Sequence, residues 1–183
     1  MEIEFELAGS ASAEAIAALS WTIWQAYYRP DILSDDEVSF FWQRAYAPDR
    51  LRADMAAGTR YAWICWAGRR IGFLSWRAEP DAGRLHLGKL YLEPAFHGHG
   101  CGAQALAWVR RRAVEQGLGE IYLYVFRQNA RAIKAYERAG FVIARSEITD
   151  CGAGFRYDDY VMVCRLGAEA GGAAIVEGGQ APP

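Results

Sequence analysis

The segment that most narrows what this chain can become is Leu85 to Ala103, LHLGKLYLEPAFHGHGCGA. A β-rich apolar run ends at Leu92, Pro94 interrupts it, and Gly98, Gly100 and Gly102 precede a helix expected from near Ala103. Glycines lack a Cβ and let the backbone approach a ligand closely. The free N–H groups of a helix start, together with its dipole, favour an anion there. A phosphate-bearing ligand is the natural expectation for residues 98–103. From this point the order is strand, glycine loop, helix, strand, helix, which places the chain among the α/β folds.

The rest of the chain is consistent with one such domain. Its 183 residues correspond to about one domain of roughly 150 residues. At 52% hydrophobic and 23% charged residues it can bury a core and is unlike a disordered chain. Before the glycine segment, EIEFEL alternates acidic and apolar residues over Glu2 to Leu7, the pattern of a half-buried strand. Ser12 is placed to cap a helix over Ala13–Tyr28 that ends before Pro30. Ser34 and Glu37 form a capping box for a helix through Tyr46, and a third helix covers Pro48–Ala57. YAWICW and IGFLSW flank the turn AGRR as a hairpin, and PDAG leads into LHLGKLYL, the third strand of a meander. Downstream come a helix over Ala103–Gln116, the strand IYLYVF, a helix capped by Asn129 and ended by Gly140, and a closing pair, FVIARSEI and YVMVCRL. The domain is expected over residues 1–166, with 167–183, rich in Gly, Ala and Pro, a disordered tail.

Two kinds of site use a glycine loop before a helix. Gly98 to Ala103 formally satisfies the dinucleotide pattern GxGxxA, and Arg127 could imitate a contact to a 2′-phosphate, as in an NAD(P)-dependent oxidoreductase. The context disagrees. That fingerprint follows its strand directly and opens a parallel sheet, whereas here Glu93 to His97 intervene and three antiparallel-looking strands come first.

The stretch YLEPAFHGHGCGAQAL instead resembles the acetyl-CoA loop of the GCN5-related N-acetyltransferases (the GNAT superfamily), whose pattern is Gln/Arg-x-x-Gly-x-Gly/Ala. NARAIKAYERAGF, Asn129 to Phe141, resembles that superfamily's second signature: an Asn, an alanine-rich helix, a Tyr, then Gly-Phe. The resemblance covers residues 1 to 166, and it departs from the pattern at His97, where Gln or Arg is usual. ILSDDEVSFFWQRAY, FHGHGCG and GAGFRYDDYVM add a weaker likeness to PaiA-type polyamine N-acetyltransferases.

The resemblance implies a mixed, mostly antiparallel sheet with helices on both faces, and transfer of acetyl from acetyl-CoA to a primary amine in a ternary complex. Pantetheine would lie along Leu90, Tyr91 and Leu92, with a strand N–H polarising the thioester carbonyl. The pyrophosphate would sit on Gly98, His99, Gly100, Cys101, Gly102 and Ala103, with His97 beside it. Asn129 would touch the pantetheine, and Tyr136 would protonate the departing thiolate, unless Tyr136 is only a core aromatic.

An alkyl ammonium with pKa about 10.4 must lose a proton before it attacks, at a cost of roughly 4 to 5 kcal/mol at pH 7. Candidate bases are His86, placed on the same strand face as Leu90, and Glu93, with a water chain as the third route. His97, His99 and Cys101 alternate on a short loop with no fourth ligand apparent, so no metal is expected. Arg110 to Arg112 read as a solvated helix end, within reach of an adenosine 3′-phosphate.

Composition bears on the acceptor. Aromatic residues make up 14% of the chain, with Trp 7, Tyr 10 and Phe 8. Trp21, Trp24, Tyr27, Tyr28, Phe40, Phe41, Trp42 and Tyr46 cluster near the start, interleaved with Asp31, Asp35, Asp36 and Glu37. Aromatic walls with carboxylates suit a cationic amine, a polyamine first, with protein N-terminal or lysine amines and aminoglycosides as alternatives. Asp158 and Asp159 add to the acidic character. A non-catalytic acetyl-CoA-binding module would share every cofactor feature. A formal net charge of −2 disfavours nucleic acid as a partner. No apolar run reaches a membrane span, and Cys65, Cys101, Cys151 and Cys164 show no CxxC spacing, so a reducing cytoplasmic setting is expected. A homodimer is compatible with all of this.

Overall fold

In the computed structural model, which describes residues 2–28 and 32–167, seven strands form one sheet. They are β1 (Glu4–Ala8), β2 (Arg60–Trp66), β3 (Arg69–Glu79), β4 (Arg84–Leu92), β5 (Glu120–Phe126), β6 (Val142–Gly152) and β7 (Phe155–Arg165), in the order β1-β2-β3-β4-β5-β7-β6. Every pairing is antiparallel except β4 with β5. The parallel pair is connected through a helix, as a parallel crossover requires. The mixed, mostly antiparallel sheet is as expected.

Helices cover both faces. α1 (Ala13–Tyr27), α2 (Asp35–Tyr46) and α3 (Pro48–Ala56) close one side over an aromatic core that includes Trp24, Tyr28, Phe41, Tyr46, Tyr61, Trp63 and Phe73. α4 (Cys101–Glu115) and α5 (Ala130–Arg138) close the other, over Leu85, Leu87, Leu106, Val109, Ile121 and Leu123. Because β2 lies between these two cores, its residues Tyr61 to Cys65 are all buried, a continuous apolar run rather than a clean alternation.

Local chemistry explains most boundaries. The Ser34 side chain accepts from the Glu37 N–H while the Glu37 carboxylate accepts from the Ser34 N–H at 2.8 Å, the expected capping box. Ser12, by contrast, gives α1 no side-chain cap; its own N–H donates to the Gly9 carbonyl in a short 3-10 turn. α4 starts at Cys101, two residues before the expected start, because Gly100 at φ +79 turns the chain directly into it. β6 and β7 run on to a turn at Ala153 and Gly154, both at positive φ. Their polar tips, TDCGAGFRYDD, hid that length from a reading based on apolar runs. Apart from Gly167, the expected tail lies outside the described residues.

One irregularity positions the site. Trp76 lies opposite Leu87 and Ser75 opposite Lys89, so Gly88 is an extra residue in β4, a β-bulge. A Cβ at Gly88 would sit 3.1 Å from the Ser75 hydroxyl oxygen. Past the bulge the alternation is reset. Leu85, Leu87, Leu90 and Leu92 all join the core beneath α4 and α5, and Tyr91 joins the aromatic core on the other side.

Candidate active site

β4 and β5 pair only at Arg84–Glu120, Leu85–Ile121 and His86–Tyr122. Beyond His86 the strands part, and a cleft of about 620 Å3 opens between them. It is lined by β4 from His86 to Leu92, by the loop residues His97 and Gly98 and by Gly102 at the start of α4, by Asn129 and Tyr136, and by Tyr28, Tyr46, Glu147 and Asp159 from the aromatic side. It therefore reaches both faces of the sheet.

On the α4 side the loop is built as a backbone cradle. Gly98 and Gly100 have φ of +82 and +79, the left-handed region, with no atom within 4 Å of where a Cβ would stand. α4 begins after Gly100 without a side-chain cap, so an anionic ligand can serve in place of one. Cys101 is 1% exposed and belongs to the core, so its thiol is not presented to a ligand. The pyrophosphate of acetyl-CoA fits this chemistry, a row of N–H donors with no side chain over them. Gly98, Gly100, Cys101, Gly102 and Ala103 would hold it. The edge of β4 freed by the divergence of β5 would align the pantetheine.

His97 Nε2 donates to the Leu92 carbonyl at 3.0 Å, which fixes the loop against the end of β4. A carbonyl only accepts, so the Nε2–H tautomer is present, and burial lowers the pKa of the ring. Nδ1 is buried without a partner. His97 and Cys101 thus point to different surroundings, and among the described residues no three His, Cys, Asp or Glu side chains gather as a metal site. Arg112 packs over Trp108 and pairs with Glu115, and none of Arg110 to Arg112 lines the cleft.

Asn129 Oδ1 accepts from Ala132 N–H at 3.1 Å, capping α5, and from Tyr27 O–H at 2.8 Å. Its oxygen is thus spent on joining α1 to α5 rather than kept for a ligand. Tyr136 lines the cleft and packs on Phe141, with ring centroids 5.7 Å apart. Burial, with Tyr27 nearby, pushes its hydroxyl up to about 12, so it carries its proton at neutral pH.

The side expected to receive an acceptor differs from expectation. Tyr28, Tyr46 and Tyr91 crowd together with Trp24, and burial holds all three phenols well above their ordinary pKa. Trp21 and Trp42 pack on each other outside the cleft, while Phe40 and Phe41 pack against Phe155. Glu37 is committed to its capping box, and Asp31 lies outside the described residues. The carboxylates lining the cleft come instead from β6 and β7, where Glu147 and Asp159 face each other across the pair. Glu147 and Gly88 carried no signal in the sequence. Asp159 was visible only as one of an acidic pair.

The bulge also corrects His86. It does not share a face with Leu90: its ring stacks on Tyr122 at 4.7 Å and meets Tyr124 edge-on, both on the aromatic side. Burial and the charges of Lys89, Arg77 and Arg84 lower its pKa to about 4, against the pull of Glu79. Glu93 is ion-paired with Arg69 at 2.5 Å and does not line the cleft. Lys89, unremarked in the sequence, lies over the rings of Tyr46 and Tyr61 with Asp54 at 3.8 Å, and burial lowers its pKa.

Comparison with known proteins decides the family. The model of the acetyltransferase (GNAT) family matches residues 17–141. The chain belongs to that family. Among GNAT relatives it is 34% identical over 99 residues to an uncharacterized N-acetyltransferase of Mycobacterium tuberculosis, a match covering 54% of this chain and 62% of the relative. It is 39% identical over 74 residues to a mycothiol acetyltransferase of Corynebacterium aurimucosum, covering 39% of this chain and 24% of that one. The chain thus spans less than two-thirds of the length of the curated relatives it matches. A PaiA N-acetyltransferase from Thermoplasma acidophilum, solved with coenzyme A, superposes with a TM-score of 0.74 over 91% of this chain and 100% of that one, at 22% identity. This GNAT fold has, among its described residues, no helix long and apolar enough to cross a membrane.

Proposed function

We propose that this protein transfers the acetyl group of acetyl-CoA to the primary amine of a small cationic acceptor, polyamine-like as first choice, by direct attack in a ternary complex. The observation that carries the reading is the cleft itself. It joins a capless helix start and two open glycines on one face of the sheet to an aromatic, carboxylate-bearing chamber on the other. A thioester laid along β4 and an amine entering from the aromatic side would meet between the strands. Tyr136, neutral at working pH, supplies the proton for the sulfur as the thiol departs. The rings of Tyr28, Tyr46, Tyr91 and Trp24 suit the stem and charge of an ammonium.

Thermal shift with acetyl-CoA, CoA and NADPH tests the cofactor. Thiol release over an amine panel that includes spermidine, putrescine and benzylamine tests the reaction. Stabilisation by acetyl-CoA and CoA with amine-dependent thiol release is expected. Stabilisation by NADPH alone refutes the reading. Acetyl-CoA binding without thiol release for any amine makes the protein a non-catalytic acetyl-CoA-binding module.

A further inference from the structure

We propose that Asp159 on β7 is the base that takes the proton from the acceptor's ammonium, an assignment that rests on the transferase reading above. Asp159 stands opposite Phe126, the last residue of β5, and opposite Glu147 on β6, and it lines the cleft. Three carboxylates meet at this end of the sheet, and two are held by arginines. Arg145 donates to Glu147 at 2.8 Å, and Arg127 pairs with Asp158 at 3.3 Å. Among the described residues nothing donates to Asp159. Its surroundings act on it through burial and the like charges of Asp158 and Glu147, which together raise its pKa to about 6.

The titratable and charged groups around it are Glu147 on β6, Tyr157 and Asp158 on β7 and Arg127 after β5, and the remaining walls of the cleft carry His86, Lys89, His97 and Arg131 with the phenols of Tyr27, Tyr28, Tyr46, Tyr91, Tyr124 and Tyr136. A base works best with a pKa near the operating pH, and an unpaired carboxylate has its oxygen lone pairs available to accept a proton. The other candidates are weaker. His86, at about 4, holds a proton about a hundredfold less tightly and is stacked on Tyr122. Glu93 is tied to Arg69.

The protons balance. Asp159 accepts one proton from R–NH3+, leaving R–NH2. The nitrogen lone pair forms the N–C bond at the thioester carbonyl, and the C–S bond breaks with its electron pair on sulfur. Tyr136 protonates the sulfur and is reprotonated by the second proton shed from nitrogen. Asp159 then releases its proton to solvent. The sum is an ammonium and an acetyl thioester giving an N-acetyl amine, a thiol and one proton.

The test is the pH profile of kcat/KM for spermidine and benzylamine at saturating acetyl-CoA, with CoA binding by each variant measured calorimetrically. The wild type should show an acid limb near pH 6. Asp159→Asn should lose about 10²- to 10⁴-fold in rate together with the limb, with CoA affinity unchanged. Glu147→Gln, which removes a neighbouring negative charge, should move the limb to lower pH, and His86→Asn should leave it in place. An Asp159→Asn enzyme that keeps both rate and limb, or a limb that disappears with His86, overturns the assignment. No thiol release by the wild type with either amine overturns the transferase reading itself, and the assignment falls with it.

Discussion

Asp159 has a consequence for stability that can be read without any substrate. Burial and two neighbouring carboxylates raise its pKa from 3.8 to about 6, so the folded protein binds this proton more tightly than the unfolded chain does. Between those two values the folded state carries the extra proton, and stability rises as pH falls. Above pH 6 the full cost of an ionised, partly buried carboxylate is present. Two pKa units correspond to about 3 kcal/mol, which solvent screening at a partly exposed group reduces to about 1 to 2 kcal/mol. Asp159→Asn removes the charge while keeping the shape. The variant should therefore be more stable than wild type by about 1 to 2 kcal/mol at pH 7.5, a rise in Tm of about 2 to 8 °C, and the gap should close as pH falls from 6 to 4. Urea unfolding of both proteins at pH 7.5, 6, 5 and 4 measures this directly. His86 titrates in the opposite sense: its pKa is lowered to about 4, so stability is lost as pH falls below 6.5. That loss is common to both proteins and cancels in their difference. A variant less stable than wild type at pH 7.5, or a gap independent of pH, would refute the reasoning.

Gly72→Ala should be costly although Gly72 lies away from the glycine loop. An added Cβ would stand 2.2 Å from the Tyr91 carbonyl oxygen, where ordinary contact begins at 3.4 Å, so β3 and β4 must part by about 1 Å. Thermal unfolding should report a loss of about 1 to 3 kcal/mol and calorimetry a weaker CoA affinity, while Gly9→Ala, with nothing within 4 Å, should change neither. Unchanged values for Gly72→Ala would mean that the strand pair yields freely. Tyr136→Phe should lower kcat by about 10²-fold or more with CoA affinity kept within about twofold. Lost binding with intact turnover would mean that Tyr136 serves only packing.

What could be read from the sequence was local. The Ser34–Glu37 box, the glycines before α4 and the Asn129 cap each declare themselves within a few residues, and the structure has all three. The resemblance to the GNAT superfamily then implied the mixed sheet. What could not be read depends on pairing between distant segments. No pattern within LHLGKLYL reveals that Gly88 bulges, because the extra residue exists only relative to β3, and the expected face of His86 failed for that reason. Glu147 and Asp159 become neighbours only through the β6–β7 register. The early aromatics were assigned together to the amine side, yet Trp21 and Trp42 pack on each other away from the cleft. Helical spacing gives a face but not what that face meets.

The bulge at Gly88 makes β4 sensitive to length more than to spelling. Removing one codon at the bulge, between His86 and Lys89, would only erase the extra residue, whereas removing one past it, at Leu90, would rotate the end of the strand by half a turn, carrying Tyr91 toward α4 and Leu92 toward the aromatic side. Each leucine could exchange for another apolar residue with modest effect, whereas a single-residue deletion past the bulge would turn the end of the strand inside out. In this chain the count of residues along β4 decides which side chains face the cleft.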